Sequence, residues 1–249
     1  MAERTLWQEM ISEFMKWQSS DEKHNALYRK IREGKATYVD AQDYSKCIAK
    51  EWSHLLQKHV GVGADLRGKT NDEVIQAIEM SLKRCYQNSS YYSSKVQEIL
   101  NESVNIKIKA VEGKVDPTRI SNLLEKLKAG EDVSETMLVT LENQWLIEEP
   151  VVENISRSAV TDTIEANARL HTDAGLVSYI ERKQGPGGCC DWCASVSGRY
   201  VYGEQPDDFF KVHKHCNCVI TYMPSRGKWQ KITYSTNKKG VRSKNTVEL

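Results

Sequence analysis

The sequence predicts an α+β fold, in which a mostly α-helical N-terminal arm precedes a small α+β module with a short β-sheet around a Cys/His cluster. Two observations predict it. Apolar residues recur at three- and four-residue spacing through the first half of the chain, which is the period of an amphipathic helix. After residue 175 the pattern changes to short runs of β-branched and aromatic residues with glycine or proline close by, which is typical of strands.

Apolar stripes and capping residues predict the first three helices. The first helix carries its stripe from Leu6 to Trp17. The motif "SSDE" places Ser19 three residues before Glu22, a capping-box pattern that predicts the start of the second helix. The third helix is expected approximately over residues 39–60, where "GVG" follows and ends it.

The next two helices are indicated by their first residues. "TNDE" at 70–73 repeats the capping-box pattern and predicts a helix with an apolar face. In "VDPTRISNLLEKLKAG", Asp116 can cap a helix, Pro117 suits its first turn and Gly130 can close it.

Two further helices and three strands complete the predicted elements. One helix is expected from about 134 to 148, because Pro150 follows it. Another is expected approximately over 151–173, where Gly175 can close it in a left-handed turn. The runs "LVSYIERK", "RYVY" and "CVITYM" predict the short sheet.

Composition limits the class of protein. The hydrophobic fraction of 39% and the charged fraction of 28% are typical of a soluble protein rich in surface helix. No apolar run approaches the ~18 residues that a membrane span requires, so no membrane partner is expected. The charged start "MAERTLWQEM" argues against an export signal.

Charge is distributed unevenly along the chain, whose formal net charge is only +1. We expect a helical arm at 1–113, a mixed module at 114–224 and a flexible basic tail at 225–249. The tail carries one acidic residue and seven basic ones, Arg226, Lys228, Lys231, Lys238, Lys239, Arg242 and Lys244. Such a tail is suited to phosphate backbones or an acidic partner surface, although solvated charge runs without a function are common.

Five of the seven cysteines lie within some thirty residues of one another. Cys190 and Cys193 form a C-x-x-C pair, and twenty residues later His213, Cys216 and Cys218 form H-x-x-C-x-C. Zn²⁺ takes four such ligands in a tetrahedron, and two close pairs from separate segments can supply them. The spacing therefore predicts a structural zinc site with five candidate ligands for four positions.

The choice among these donors stays open at the level of sequence. The C-x-x-C pair is the most secure, and Cys216 and Cys218, two apart on a strand, would point to the same side. His213 could replace either of them, whereas Cys189 and His215 are expected to be neighbours rather than ligands. The alternatives are reduced thiols without metal or disulfide bonds.

A catalytic role for the cluster has weaker support. Zinc deaminases place H-x-E ahead of P-C-x-x-C, whereas this chain has His171-Thr172-Asp173 and no proline before Cys190. The supply of four ligands also favours a closed, structural site over one with an open position.

The pattern from "RSAVTDTIEANARLHTDAGLVSYIERK" through "GCCDWC" to "HKHCNCVITYMP" resembles the head-morphogenesis domain of tailed bacteriophages, the family of phage Mu F-type minor head proteins. The resemblance covers approximately residues 115–224. The residues in matching places are Gly175, Cys190, Asp191, Cys193, Gly198, His213, Cys216 and Cys218.

The resemblance implies a non-enzymatic minor structural protein of the phage head. Its partners would be the portal and other head proteins, and it could contact packaged DNA through the basic tail. It would be found in the virion after assembly in the cytoplasm of the bacterial host. Two other hypotheses stay open, a zinc-dependent nucleic-acid-binding module of cellular origin and a zinc- or thiol-dependent enzyme.

Overall fold

The fold is given by a computed structural model, which describes residues 4–128, 139, 144–185, 188–213, 215, 217–224, 233–236 and 242–245. The helices are α1 Leu6–Ser20, α2 Glu22–Arg32, α3 Tyr38–Val60, α4 Asn71–Ser103, α5 Pro117–Lys128, α6 Glu149–Asp173 and α7 Asp191–Ser195, with a 3-10 turn at Gln144–Ile147. The strands are β1 Ser178–Lys183, β2 Gly198–Val201, β3 Val219–Pro224, β4 Thr233–Thr236 and β5 Arg242–Asn245. The predicted α+β class is confirmed.

The caps of the first helices correct one prediction and explain the start of α3. Asp21, not Ser19, caps α2, because its carboxylate accepts a hydrogen bond from the His24 backbone N–H. Ser19 lies in the last turn of α1, where its hydroxyl donates to the Lys16 carbonyl. Thr37 caps α3 in a complete capping box, which satisfies two backbone N–H groups that a helix start would leave unpaired.

Thr70 caps α4 as predicted, but the second half of the capping box serves a tertiary contact. The Thr70 hydroxyl accepts from the Glu73 backbone N–H. The Glu73 carboxylate accepts from the backbone N–H of Leu6, at 2.8 Å, and so ties α4 to the start of α1. An acceptor that a local motif would use is thus used to join two helices that are distant in the sequence.

The central predicted helices are confirmed in part. Asp116 accepts from the Thr118 backbone N–H at the start of α5, and Gly130 lies outside the described residues. Of the helix expected over 134–148, the structure describes Val139, which lies in a bend, and residues 144–148, which are the 3-10 turn and the residue before α6. Gly175, at a φ of 81°, follows the end of α6 as expected, since glycine adopts this left-handed conformation without strain.

Helix α6 lies at the centre of the molecule, packed against α3, α4, β1 and β3. Buried hydroxyl groups lie between α6 and α4 beside the apolar side chains of this contact. The hydroxyl oxygens of Ser156 on α6 and Ser89 on α4 lie 2.7 Å apart. Those of Thr163 and Ser90 lie 3.1 Å apart, further along the same two helices. Small side chains allow helix backbones to approach closely, and the hydrogen bonds satisfy polar atoms that would otherwise be buried unpaired.

An extended segment after α4 returns along α6. The Asn167 side chain accepts from the Val111 backbone N–H at 2.9 Å and donates to the Val111 carbonyl at 2.7 Å. The Gly113 backbone N–H donates to the Thr163 hydroxyl at 3.0 Å. The side chains of α6 therefore hold the backbone of this segment, which has no strand partner among the described residues.

The small sheet has the strand order β2-β1-β3, with both pairs antiparallel. Its register places Ile180 of β1 opposite Tyr200 of β2 and Tyr222 of β3. Every residue of β3 is buried, because this strand packs on α3 and α6. A separate antiparallel pair, β4 and β5, lies within the predicted tail. The flexibility of the tail stays a prediction.

The predicted boundary between residues 113 and 114 falls inside one continuous core. Helices α3 and α4, from the predicted arm, make their largest contacts with α6, from the predicted module. Fully or nearly fully buried members of this single cluster include Trp52, Leu82, Ile164, Ile180 and Tyr222. The arm and the module therefore share their hydrophobic core, although the division into domains itself stays a prediction.

Replacing Gly113 with alanine is expected to lower the free energy of unfolding by about 1–3 kcal/mol, the usual cost of overpacking. A Cβ at this position would lie 2.8 Å from the Thr163 backbone nitrogen and 3.0 Å from the Asp162 carbonyl carbon. Both are backbone atoms of α6, which cannot rotate out of the way as a side chain could. Urea unfolding measures the change.

The matched control is Glu112→Ala, because Glu112 is exposed at the neighbouring position. We expect its stability to stay within about 0.5 kcal/mol of the unaltered protein. Equal stability of Gly113→Ala and the unaltered protein would show that the segment is not held closely against α6.

Candidate metal centre

The C-x-x-C pair is shaped by the short helix α7. Cys190 is its N-cap, and the Cys190 Sγ accepts a hydrogen bond from the Cys193 backbone N–H at 3.4 Å. Because Cys193 lies in the first turn of α7, this cap directs both sulfur atoms to the same side. Cys190 is exposed, whereas Cys193 is 1% exposed.

His213 comes from a separate loop, residues 209–213, which is called the histidine loop below. It completes a group of three donors. Its Nε2 lies 2.8 Å from the Cys193 Sγ and 3.5 Å from the Cys190 Sγ. All three donor atoms lie within 4.8 Å of one another, so Cys190, Cys193 and His213 could hold a metal ion. The structure thus joins two segments that are twenty residues apart in the sequence.

Arg182 and Trp192 pack directly beneath this group. The Arg182 side chain is buried, and its Nη2 lies 3.6 Å from the Cys193 Sγ. The Arg182 Nη1 donates to the carbonyl oxygens of Phe209 and Lys211, at 2.5 and 2.9 Å. The Trp192 ring lies 5.1 Å from the Arg182 guanidinium carbon and meets the His213 ring edge-on at 5.1 Å.

The loop that leads into β3 is held close to the cluster from two directions. Gly185 and Asn217 approach so closely that a Cβ on Gly185 would lie 2.2 Å from the Asn217 carbonyl oxygen. Lys46 of α3 donates to the Asn217 side-chain oxygen at 3.1 Å. Arg157 of α6 donates to the Cys218 carbonyl oxygen at 2.9 Å. The loop that leads into β3 is therefore attached to the helical core.

The five predicted ligands have different outcomes. Cys190, Cys193 and His213 are brought together. Cys218 is buried and packs against Cys193, but it does not belong to the group in which every donor atom is within 4.8 Å of the others. Cys216 lies outside the described residues.

Cys189 and His215 were expected to be neighbours rather than ligands. Neither belongs to the three-donor group. His215 adopts a φ of 61°, an uncommon conformation for a residue other than glycine, at the turn between the histidine loop and β3.

The predicted nucleic-acid contacts of the tail are not placed by the structure. Five of these residues lie outside the described residues, namely Arg226, Lys228, Lys231, Lys238 and Lys239. Arg242 and Lys244 belong to β5, for which only the backbone is described.

Sequence reasoning missed Arg182, Gly185 and Asn217, which surround the cluster. A charged residue in a predicted buried strand is a signal that could have identified Arg182, because a buried charge needs a specific partner. No comparable local signal exists for the close approach of Gly185 to Asn217, which depends on how two loops pack.

The two remaining cysteines are separate from the cluster. Cys47 and Cys85 are buried in the helical part of the molecule, and burial raises the pKa of Cys47 to about 11 and that of Cys85 to about 12. Since metal ions bind the thiolate form, these two thiols are poor competitors for a metal ion at neutral pH.

The donor set determines what the site can bind. Thiolate and imidazole are ligands for zinc and other softer transition-metal ions, whereas Mg²⁺ and Ca²⁺ prefer oxygen donors.

His171, the histidine of the deaminase-like pattern, lies away from the three-donor group. It is buried between α6 and β3, and its Nδ1 shares a hydrogen bond with the Tyr222 hydroxyl. The structure therefore does not bring His171 together with Cys190 and Cys193, as a deaminase-like site would require.

Comparison of this chain with protein-family models, with curated proteins and with solved structures found no match. Within the described residues, no helix combines the length and the apolar character needed to cross a membrane.

Cys193→Ser is expected to reduce bound metal from about one ion per chain to near zero, because one of three converging donors is lost. Cys189→Ser is the matched control. It removes an adjacent thiol that is outside the group, and its metal content should equal that of the unaltered protein. Inductively coupled plasma mass spectrometry of protein purified under reducing conditions measures both. Equal metal loss in the two variants would contradict the assignment of donors.

Proposed function

We propose that this chain is a non-enzymatic minor head protein of a tailed bacteriophage, in which a structural Zn²⁺ ion stabilises the C-terminal module. The observation that carries the structural part is the convergence of Cys190, Cys193 and His213 from two loops. The phage assignment rests on the resemblance over residues 115–224 to the Mu F-type head-morphogenesis family.

The distance between the Cys190 Sγ and the His213 Nε2 suits a zinc ion. In a tetrahedral site with Zn–S near 2.3 Å and Zn–N near 2.0 Å, a sulfur and a nitrogen ligand lie roughly 3.5 Å apart. The Cys190 Sγ and the His213 Nε2 already have this separation of 3.5 Å. The Cys193 Sγ and His213 Nε2, at 2.8 Å, need to move apart by about 0.7 Å.

A fourth ligand closes the proposed site. Cys218, packed against Cys193, and Cys216, which lies outside the described residues, are the candidates from the H-x-x-C-x-C motif. A fourth protein ligand leaves no open position for substrate or activated water, which is the usual difference between structural and catalytic zinc sites. Zinc then joins the α7 loop, the histidine loop and the entry to β3.

A closed zinc site would stabilise this region substantially. The described sheet has only three strands, and loops form most of the module between β1 and β3. Structural zinc supplies about 10–16 kcal/mol of apparent binding free energy in small modules. The same loops are attached to α3 and α6 through Asn217 and Cys218, so the ion would fix them on the helical core.

The order of elements supports the phage assignment. Helix α6, Gly175, β1, the C-x-x-C turn, the turn at Gly198 and the histidine loop follow one another as in the resembled family. A minor head protein would act through binding surfaces rather than through turnover. Its partners are proposed to be the portal and other head proteins, and its location the virion after assembly in the bacterial cytoplasm.

Co-expression with the portal protein encoded nearest to its gene tests the proposal. We expect the chain to co-purify with portal rings, and a Cys193→Ser variant to co-purify less because its C-terminal module is loosened. Cys189→Ser serves as the folded control. Absence of portal and capsid genes from the neighbourhood, together with no portal binding, would overturn the phage assignment while leaving the metal site unaffected.

Removal of residues 226–249 is expected to lower affinity for double-stranded DNA and to flatten its dependence on salt. The deleted segment carries seven basic residues and one acidic residue. Each phosphate neutralised contributes about −0.9 to the slope of log K against log salt. Fluorescence anisotropy at several salt concentrations measures both quantities, with a full-length variant carrying glutamine at all seven basic positions as the length control. Unchanged binding in both variants would exclude DNA contact by the tail.

A further inference from the structure

We propose that Arg182 is a positioning residue of the metal centre, holding the two donor-bearing segments in place and supplying a fixed positive charge beside the bound ion. The inference rests on the proposed function, because it presupposes that Cys190, Cys193 and His213 bind a metal ion. It goes further by assigning a role to a residue that is not itself a ligand.

Arg182 reaches both halves of the donor group from a rigid base. It lies on β1, the central strand of the sheet, which is paired on both sides. One guanidinium nitrogen donates to the carbonyl oxygens of Phe209 and Lys211, just ahead of His213. The other nitrogen lies 3.6 Å from the Cys193 Sγ. A single planar group therefore sets the position of the histidine loop relative to the C-x-x-C turn.

Trp192 adds a cation–π contact to Arg182. Its ring lies against the Arg182 guanidinium, at 5.1 Å, and also meets the edge of the His213 imidazole. Arginine suits this position because its fixed fork can serve two acceptors while its face packs on an aromatic ring. Lysine would supply the charge but not the planar fork.

The charge of Arg182 has a specific consequence for the fourth ligand. The Arg182 guanidinium lies 3.6 Å from the Cys193 Sγ, where a positive charge stabilises negative charge on the metal ligands. The neighbouring Glu181 is already engaged by Arg199 and Lys183, at 2.6 and 3.2 Å, and the alternation of β1 directs it to the opposite face from Arg182.

The net charge of the metal centre depends on its fourth ligand. A divalent ion with two thiolates and a neutral imidazole has no net charge, whereas a third thiolate makes the unit −1. Arg182 beside the Cys193 sulfur lowers the electrostatic cost of a third thiolate, and so favours a cysteine over water as fourth ligand. Cys218, packed against Cys193, is the candidate that the structure describes.

Arg182→Met and Arg182→Lys test this role, with Arg199→Met as the matched control. Arg199 lies on the adjacent strand, is exposed and pairs with Glu181, away from the donors. Co²⁺ titration, followed by sulfur-to-metal charge-transfer absorption and by competition with a chelator, gives the dissociation constant. We expect Arg182→Met to weaken binding by about 10- to 100-fold, Arg182→Lys to recover part of the loss, and Arg199→Met to bind as the unaltered protein does.

The thermal unfolding temperature with and without Co²⁺ separates positioning from simple stabilisation. A residue that only supports the fold would lower both temperatures equally and leave the metal-dependent gain unchanged. That result, with an unchanged dissociation constant, would overturn the proposal while the metal site stands. If Arg182→Met does not fold, the test rests on Arg182→Lys. A Co²⁺ dissociation constant of Arg182→Lys equal to that of the unaltered protein would then overturn the proposal. Failure of the unaltered protein to bind Co²⁺ would overturn the metal site and this inference together.

Discussion

The close approach of α3 and α4 to α6 is the constraint on which the rest of the structure depends. Large side chains at this contact would separate the helices. Serine and threonine side chains are small enough for this contact, and their hydroxyls bond to one another or to nearby carbonyls, as Ser156 does with Ser89 and with the Ser45 carbonyl. The three helices then form a platform for the sheet.

The same helices position the candidate metal centre. Arg157 of α6 and Lys46 of α3 bond to consecutive residues of the loop before β3, Cys218 and Asn217. The sheet contributes Arg182 from its central strand, which contacts the C-x-x-C turn and the histidine loop. The site thus lies where helices, sheet and loops meet. An ion bound there would connect the C-x-x-C turn to the loop that carries His213.

Local patterns predicted much of the fold, because helix caps and strand periods are properties of short segments. The prediction at Ser19 failed because two acceptors, Ser19 and Asp21, lie close together, and α1 continues through the first of them. The C-x-x-C and H-x-x-C-x-C spacings predicted three donors that do converge. The contacts of Arg182 and the approach of Gly185 to Asn217 were beyond prediction, since they depend on the packing of segments far apart in the sequence.

The single core that crosses residue 113 has a consequence for how the chain folds during synthesis. Helices α3 and α4 leave the ribosome well before α6, which covers their inner faces. Until residue 173 has emerged, those faces remain without their main neighbour. The N-terminal half is therefore expected to stay loosely packed and open to chaperones during translation, and a recombinant fragment ending near residue 113 would carry an apolar surface that promotes aggregation.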